Sequence, residues 1–221
     1  MDEITKDQRV LLVVANLVLG DNGSNGGNYR RLYEWLDRYA VLVANLLMHP
    51  LYRIVESLTR DEVTLGAFLD RVVSLADDPE TEALDVFLVM HGSPGMVYFD
   101  DVSITTADLG QQLKAADLAG RLRLLYSTAC YGASHASDFV EAGFRTASGA
   151  IAVCANGPYD FPTQLLRWGT AHTYKSTVKA GNNPVFRLIH DNAAKAMGFT
   201  DVNSEKIIAG KKYTRITSPA A

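Results

Sequence analysis

The sequence predicts an α/β fold, a three-layer sandwich with a mostly parallel central sheet, and three observations carry that prediction. Short, nearly continuous apolar runs (Arg9 to Leu19, Asp85 to Met90, Leu122 to Tyr126, Gly149 to Ala155) have the length and composition of strands buried on both faces. Segments with apolar residues recurring at three and four, such as Tyr29 to Leu47 and Thr64 to Leu75, alternate with them. The apolar runs end in small or turn-forming residues, at the carboxyl rim where α/β sheets keep their chemistry. With 221 residues and 48% hydrophobic content, the chain can build one large core, and residues 1–221 read as a single domain without internal repeat or low-complexity tract.

Taken in order, RVLLVVANLVL (Arg9 to Leu19) is apolar on both faces and reads as a central strand. The stretch GDNGSNGGN that follows is a glycine-rich loop opening a helix at Asn28 or Tyr29. A phosphate cradle and a plain turn compete there, but neither G-x-G-x-x-G nor G-x-x-x-x-G-K-[ST] is present. In the helix Tyr29 to Leu47, residues Leu32, Trp35, Leu36, Tyr39, Leu42, Val43 and Leu46 form an apolar stripe expected to face the core, and His49-Pro50 ends it. Tyr52 to Leu58 alternates as a strand nearer the sheet edge does, and Asp77 to Glu80 is an acidic loop that reads as solvated rather than calcium-binding.

After the strand Asp85 to Met90 comes SPGMVYFDDVSI, a hairpin-like excursion beside His91. Thr105 or Thr106 then caps a helix running to Ala116, and Gly120 turns the chain into the next strand. Ser134 to Phe144, Gln164 to Lys179 and Val185 to Met197 have helical spacing. Lys206 to Ile216 reads as a final edge strand guarded by its basic residues. Cys154, in the strand Gly149 to Ala155, reads as a structural thiol.

The chemistry concentrates at two strand ends. LRLLYSTACYG delivers Cys130 to a strand-to-helix turn, where the free N–H groups of a helix start are expected to lower a thiol's pKa. LDVFLVMHG delivers His91 and Gly92 to the end of another strand, 39 residues earlier, room for one excursion, one helix and a return strand. On neighbouring parallel strands, His91 and Cys130 face each other as base and nucleophile, and Gly92 with the Cys130 N–H can hold an oxyanion. Each motif taken alone fits a packed structural residue; the pairing of His-Gly with Ala-Cys at consecutive strand ends is what points to a dyad. His135, five residues past Cys130, is set aside because a helix carries it away from the thiol. His190-Asp191 is set aside because neighbours in sequence on a helix do not face one another.

His-Gly after one apolar strand and Ala-Cys after the next resembles the caspase-like cysteine peptidases, the clan of caspases, legumains, clostripain and gingipains. The legumain branch looks nearest, because HGSPGMVYFDD and GSNGGNYRR (Gly23 to Arg31) are similar to segments of that branch and occur in the same order. The resemblance implies a caspase-like fold, a Cys130 nucleophile, and His91 as general acid and base. It also implies Asn28 beside the catalytic histidine, Arg30 in the specificity pocket, and Tyr159 and Asp160 on a loop bordering the substrate. Two residues before the nucleophile the clan carries Glu, Gln or Asp, at a position that shapes the pocket for the residue preceding the cleaved bond. Here it is Thr128, a departure that puts the clan's usual specificities in doubt.

A formal net charge of −4 gives no electrostatic case for nucleic acid binding. With only Cys130 and Cys154 there is no disulfide framework, and a reducing, cytoplasmic setting suits a thiol nucleophile. No signal-like start and no uninterrupted apolar run of about 18 residues or more point away from a membrane. The expectation is a cysteine endopeptidase acting on protein or peptide substrates, with no cofactor and no metal; oligomeric state is not legible. Two other readings stand beside it. One is a catalytically silent caspase-like interaction domain; the other is a flavodoxin-like nucleotide-binding domain using the loop Gly20 to Asn28.

Overall fold

The computed structural model describes residues 3–18, 29–118 and 120–221. The elements follow the α/β alternation: β1 (Arg9–Asn16), α1 (Arg30–Met48), β2 (Ile54–Thr59), α2 (Leu65–Asp77) and β3 (Ala83–Met90). A small antiparallel sheet of β4 (Gly92–Ser93), β5 (Met96–Tyr98) and β6 (Ser103–Thr105) comes next, then α3 (Thr106–Ala115), β7 (Leu122–Ser127), α4 (Gly132–Glu141) and β8 (Thr146–Ala150). The chain closes with α5 (Gly157–Gly169), α6 (Tyr174–Gly181), α7 (Pro184–Ala196) and β9 (Lys206–Gly210).

The main sheet has the order β2-β1-β3-β7-β8-β9. Its pairs are parallel from β2 through β8, and only β9 runs antiparallel, at the edge. This is the mostly parallel α/β sandwich that the apolar runs predict. The two-residue alternation of strand side chains divides the core. Val10, Leu12 and Val14 face α2, α3 and α4, where Phe68, Val72, Leu109 and Phe139 meet them. Leu11, Val13 and Ala15 face α1, α5 and α6, where Ala40, Ala44, Phe161 and Trp168 meet them.

A buried ion pair ties the amino ends of β3 and β7. Arg123 donates from Nε to Asp85 Oδ1 (2.9 Å) and from Nη2 to Oδ2 (2.7 Å), with both side chains fully buried. Trp168 Nε1 and the Tyr52 hydroxyl also donate to Asp85, so the desolvated carboxylate is fully partnered.

Several boundaries differ from the sequence reading, each for a physical reason. On α1 the face turned to the sheet is Asp37, Ala40, Ala44 and Met48. Small side chains let the helix lie close, so Leu32, Trp35, Leu42 and Leu46 of the expected core stripe are exposed. The predicted helix Gln164 to Lys179 is two helices, α5 and α6, broken at Thr170 to Thr173, where Thr173 caps the second by accepting from the Ser176 N–H. The stretch Asn156 to Asp160, read as a loop, is the first turn of α5, with Pro158 at a position where a missing N–H costs nothing. The strand expected over Gly149 to Ala155 is β8, displaced toward its amino side, and β1 ends at Asn16 rather than Leu19.

Candidate active site

The carboxyl ends of β3 and β7, neighbours in the sheet, bring His91 and Cys130 to one rim. Both side chains line a single cavity of about 420 Å³ together with Leu17, Tyr33, Thr128 and Cys154. Further out, the cavity is walled by α1 on one side and the end of α7 on the other.

The turn holding Cys130 is fixed by close backbone packing. Gly132, at the start of α4, lies directly on Gly149 of β8: a Cβ on Gly149 would sit 2.3 Å from the Gly132 carbonyl carbon. Between the thiol and that contact, Tyr131 adopts a left-handed backbone (φ 58°), a conformation that costs a bulky residue on the order of 1 kcal/mol. The Tyr131 N–H donates to the Ala152 carbonyl (2.9 Å) and its hydroxyl donates to Asp201 (2.9 Å), which hold it there.

Cys130 Sγ accepts the Cys154 N–H at 3.5 Å. Burial nevertheless pushes the Cys130 thiol above its ordinary value, against the lowering influence of that N–H and of the Lys206 ammonium. This corrects the expectation that the helix start makes the thiol acidic. Desolvation is the larger effect, and the sulfur rests as a neutral thiol at neutral pH.

His91 Nε2 lies 2.8 Å from the Leu17 carbonyl oxygen. A carbonyl only accepts, so Nε2 carries the proton and Nδ1 is the basic position of the neutral ring. Burial holds the imidazole below its ordinary value, so the ring is neutral at pH 7. Tyr33 packs its ring edge-on against the imidazole, with centroids 5.1 Å apart. Behind Leu17, the buried Asp37 accepts the Leu17 N–H at 2.9 Å. One residue, Leu17, therefore bridges Asp37 and the ring of His91 through its N–H and its carbonyl.

Gly92 does not line the cavity. It packs beneath the nucleophile's turn, where a Cβ would stand 3.0 Å from the Cys130 carbonyl oxygen, from His135 Cε1 and from the Met96 carbonyl oxygen. The missing side chain thus has a packing reason, not the close approach to substrate expected from the sequence. His135, outside the cavity lining, donates from Nε2 to the Ser93 carbonyl (2.8 Å) and so buttresses the small sheet.

The other candidate residues divide. Thr128 lines the cavity, with its hydroxyl donating to the Leu88 carbonyl at 3.3 Å. Arg30 is exposed on the first turn of α1 and pairs with Glu34 (3.3 Å), so it stands outside the lining. Because the first turn of α5 begins at Gly157, Tyr159 faces α7 and stacks on Phe186, while Asp160 turns into the core. Asp160 accepts from the Tyr126 hydroxyl (2.6 Å) and Gln164 (3.1 Å) and meets Lys206 Nζ at 3.3 Å; neither Tyr159 nor Asp160 borders the cavity. Asn28 lies outside the described residues.

Cys154, which the sequence suggested was only structural, is part of this cavity. Its sulfur accepts from Lys206 Nζ (3.5 Å), while burial pushes its own thiol up to about 11. The Leu17 carbonyl and the Cys154 N–H are main-chain groups with no sequence signature. Lys206 at least lay on a predicted strand, though nothing marked it as inward-facing.

This arrangement, a six-stranded mostly parallel sheet sandwiched by helices, is the caspase-like fold. The structural comparisons place it there too: caspase-1 from Spodoptera frugiperda superposes with a TM-score of 0.61 at 16% identity, over 96% of this chain and 89% of that one. A structure of pro-sf-caspase-1 superposes with a TM-score of 0.57 at 13% identity, over 97% of this chain and 94% of that one. At these identities the likeness is one of fold. No family model matches the chain, and no curated protein does. Among the described residues, no helix is long and apolar enough to cross a membrane.

Proposed function

We propose that this protein is a cysteine endopeptidase of the caspase-like kind, nearest the legumain branch that the motifs around Gly23 to Arg31 and His91 resemble, acting on protein or peptide substrates. The observation that carries the reading is the convergence of Cys130 and His91 in one cavity at the ends of adjacent parallel strands.

The chemistry begins from a neutral pair. His91 Nδ1 takes the proton from the Cys130 thiol as sulfur attacks the peptide carbonyl carbon, giving a tetrahedral oxyanion. The Cys130 N–H is the donor assigned to that oxyanion; Gly92, which packs beneath the turn outside the cavity lining, is not given that role. Collapse breaks the C–N bond, and the imidazolium passes its proton to the leaving amine. Water then attacks the thioester, its proton going to His91, and the C–S bond breaks to release the acid and restore the thiol. Leu17 keeps the ring aimed throughout by accepting from Nε2.

Fluorogenic peptide libraries test this with point variants. Cys130→Ala and His91→Ala each reduce kcat/KM to background, while Cys154→Ala and His135→Ala retain folded protein and most of the activity. Full turnover by the Cys130→Ala protein would remove the proposal. So would equal loss on changing His135.

A further inference from the structure

We infer that the residue preceding the cleaved bond is a large apolar one, aromatic or long aliphatic; this rests on the peptidase reading above. The acyl group that Cys130 attacks carries its own side chain one bond from the reacting carbonyl. The space contiguous with the sulfur therefore receives that side chain. Here the space is a cavity of about 420 Å³, within the roughly 300–1,000 Å³ of small-ligand pockets. Leu36, Val89, Met90, Phe161, Ala194 and Met197 supply its apolar walls. Among the described residues, no Asp, Glu, Lys or Arg lines it.

The charges closest to the cavity are committed elsewhere. Lys206 and Asp160 neutralise one another at 3.3 Å, both fully buried on the far side of Cys154. Arg30 pairs with Glu34 at the surface. The hydroxyl proton of Thr128 goes to the Leu88 carbonyl. The imidazoles of His91 and His190 in the lining are held on the Leu17 and Phe186 carbonyls, so an acidic, basic or amide side chain entering this cavity would lose its water and, among the described residues, meet no carboxylate, ammonium or guanidinium there, which disfavours it. An apolar side chain gives up no hydrogen bonds on entry and gains the burial of its own surface. Tyr29, Tyr33 and Phe199 add aromatic faces and edges to the lining, suited to an aromatic ring.

The test uses the whole chain and two readouts. Peptides identical except for Phe, Leu, Met, Asp, Asn, Arg or Lys before the scissile bond are compared by kcat/KM on the wild type, and by fluorescence anisotropy on Cys130→Ala, which binds without turnover. The expected result is at least a tenfold preference for Phe, Leu or Met over every charged or amide residue in both readouts. Leu36→Arg lowers cleavage of the Phe peptide at least tenfold and raises that of the Asp peptide. Met197→Arg, at a position already 47% exposed and so tolerant of the change in folding, moves both in the same direction by less. Cleavage that depends on Cys130 but prefers a charged or amide residue overturns the specificity and leaves the peptidase intact. Selective binding of apolar peptides without cleavage supports the cavity's preference and overturns the peptidase. Neither binding nor cleavage of any peptide overturns both.

Discussion

The ionisation of Cys130 gives a sharp test of how this site works. In a cysteine enzyme that rests as a thiolate-imidazolium pair, alkylation is fast and flat from about pH 5 upward. Here burial raises the thiol above its ordinary 9.0 and lowers the imidazole below its ordinary 6.5, so the two shifts pull the pair toward its neutral form. A thiol ionising above 9.0 is at most roughly 3% thiolate at pH 7.5. The second-order rate of iodoacetamide labelling at Cys130, followed by intact mass in a Cys154→Ala background, should therefore climb about tenfold per pH unit up to at least pH 8.5. At pH 7.5 it stands at least about 30-fold below its alkaline limit. Replacing His91 with Ala should leave the shape of that curve unchanged. Turnover should behave differently: because Nδ1 must be unprotonated to act as base, the acid limb of kcat/KM falls below pH 6.5. A labelling plateau near pH 6 to 7 that vanishes with His91→Ala would show an ion pair at rest, and the burial argument would be wrong.

Two further outcomes follow from the packing around the site. Gly149→Ala places a methyl 2.3 to 2.5 Å from the Gly132 backbone, with no side chain able to yield. It should destabilise the protein by about 1–3 kcal/mol or more in urea unfolding and, by shifting the turn that carries Cys130, lower kcat more than KM; unchanged stability would refute the close contact. Asp37 is held up to about 6 from an ordinary 3.8, chiefly by burial, and its Oδ2 has no hydrogen-bond partner among the described residues. A carboxyl raised on folding stabilises fully below 3.8, and that contribution is lost as pH rises to about 6. Asp37→Asn should therefore stabilise at pH 7.5 by up to about 3 kcal/mol and by little at pH 4, measured as urea midpoints at the two pH values; equal effects at both would refute it.

What could be read from the chain follows the physics of burial. β1, β3 and β7 are buried on both faces, so their runs are nearly all apolar, broken inside β3 and β7 only by the mutually paired Asp85 and Arg123, and their ends, with His91 and Cys130, stood out. The face of α1 did not, because periodicity locates an apolar stripe without saying what covers it. Close packing against the sheet selected Ala40 and Ala44 over the larger Leu42 and Leu46. Asp160 read as a rim residue because its stretch follows a predicted strand and the family resemblance puts that loop beside the substrate; it is buried instead, on a partner, Lys206, from a distant strand that only the fold brings near. The pKa of Cys130 could not be foreseen either, since a helix start is visible in sequence and the depth of a sulfur is not.

One group that aims His91 is the Leu17 carbonyl, and that has an evolutionary corollary. Every residue type supplies the same oxygen, so no single codon change at position 17 can delete it. Only proline there would disturb the arrangement, by removing the N–H that Asp37 holds. Drift at position 17 is therefore free to reshape the cavity wall while the base keeps its aim, so substrate preference in such a scaffold can diversify without first dismantling its chemistry.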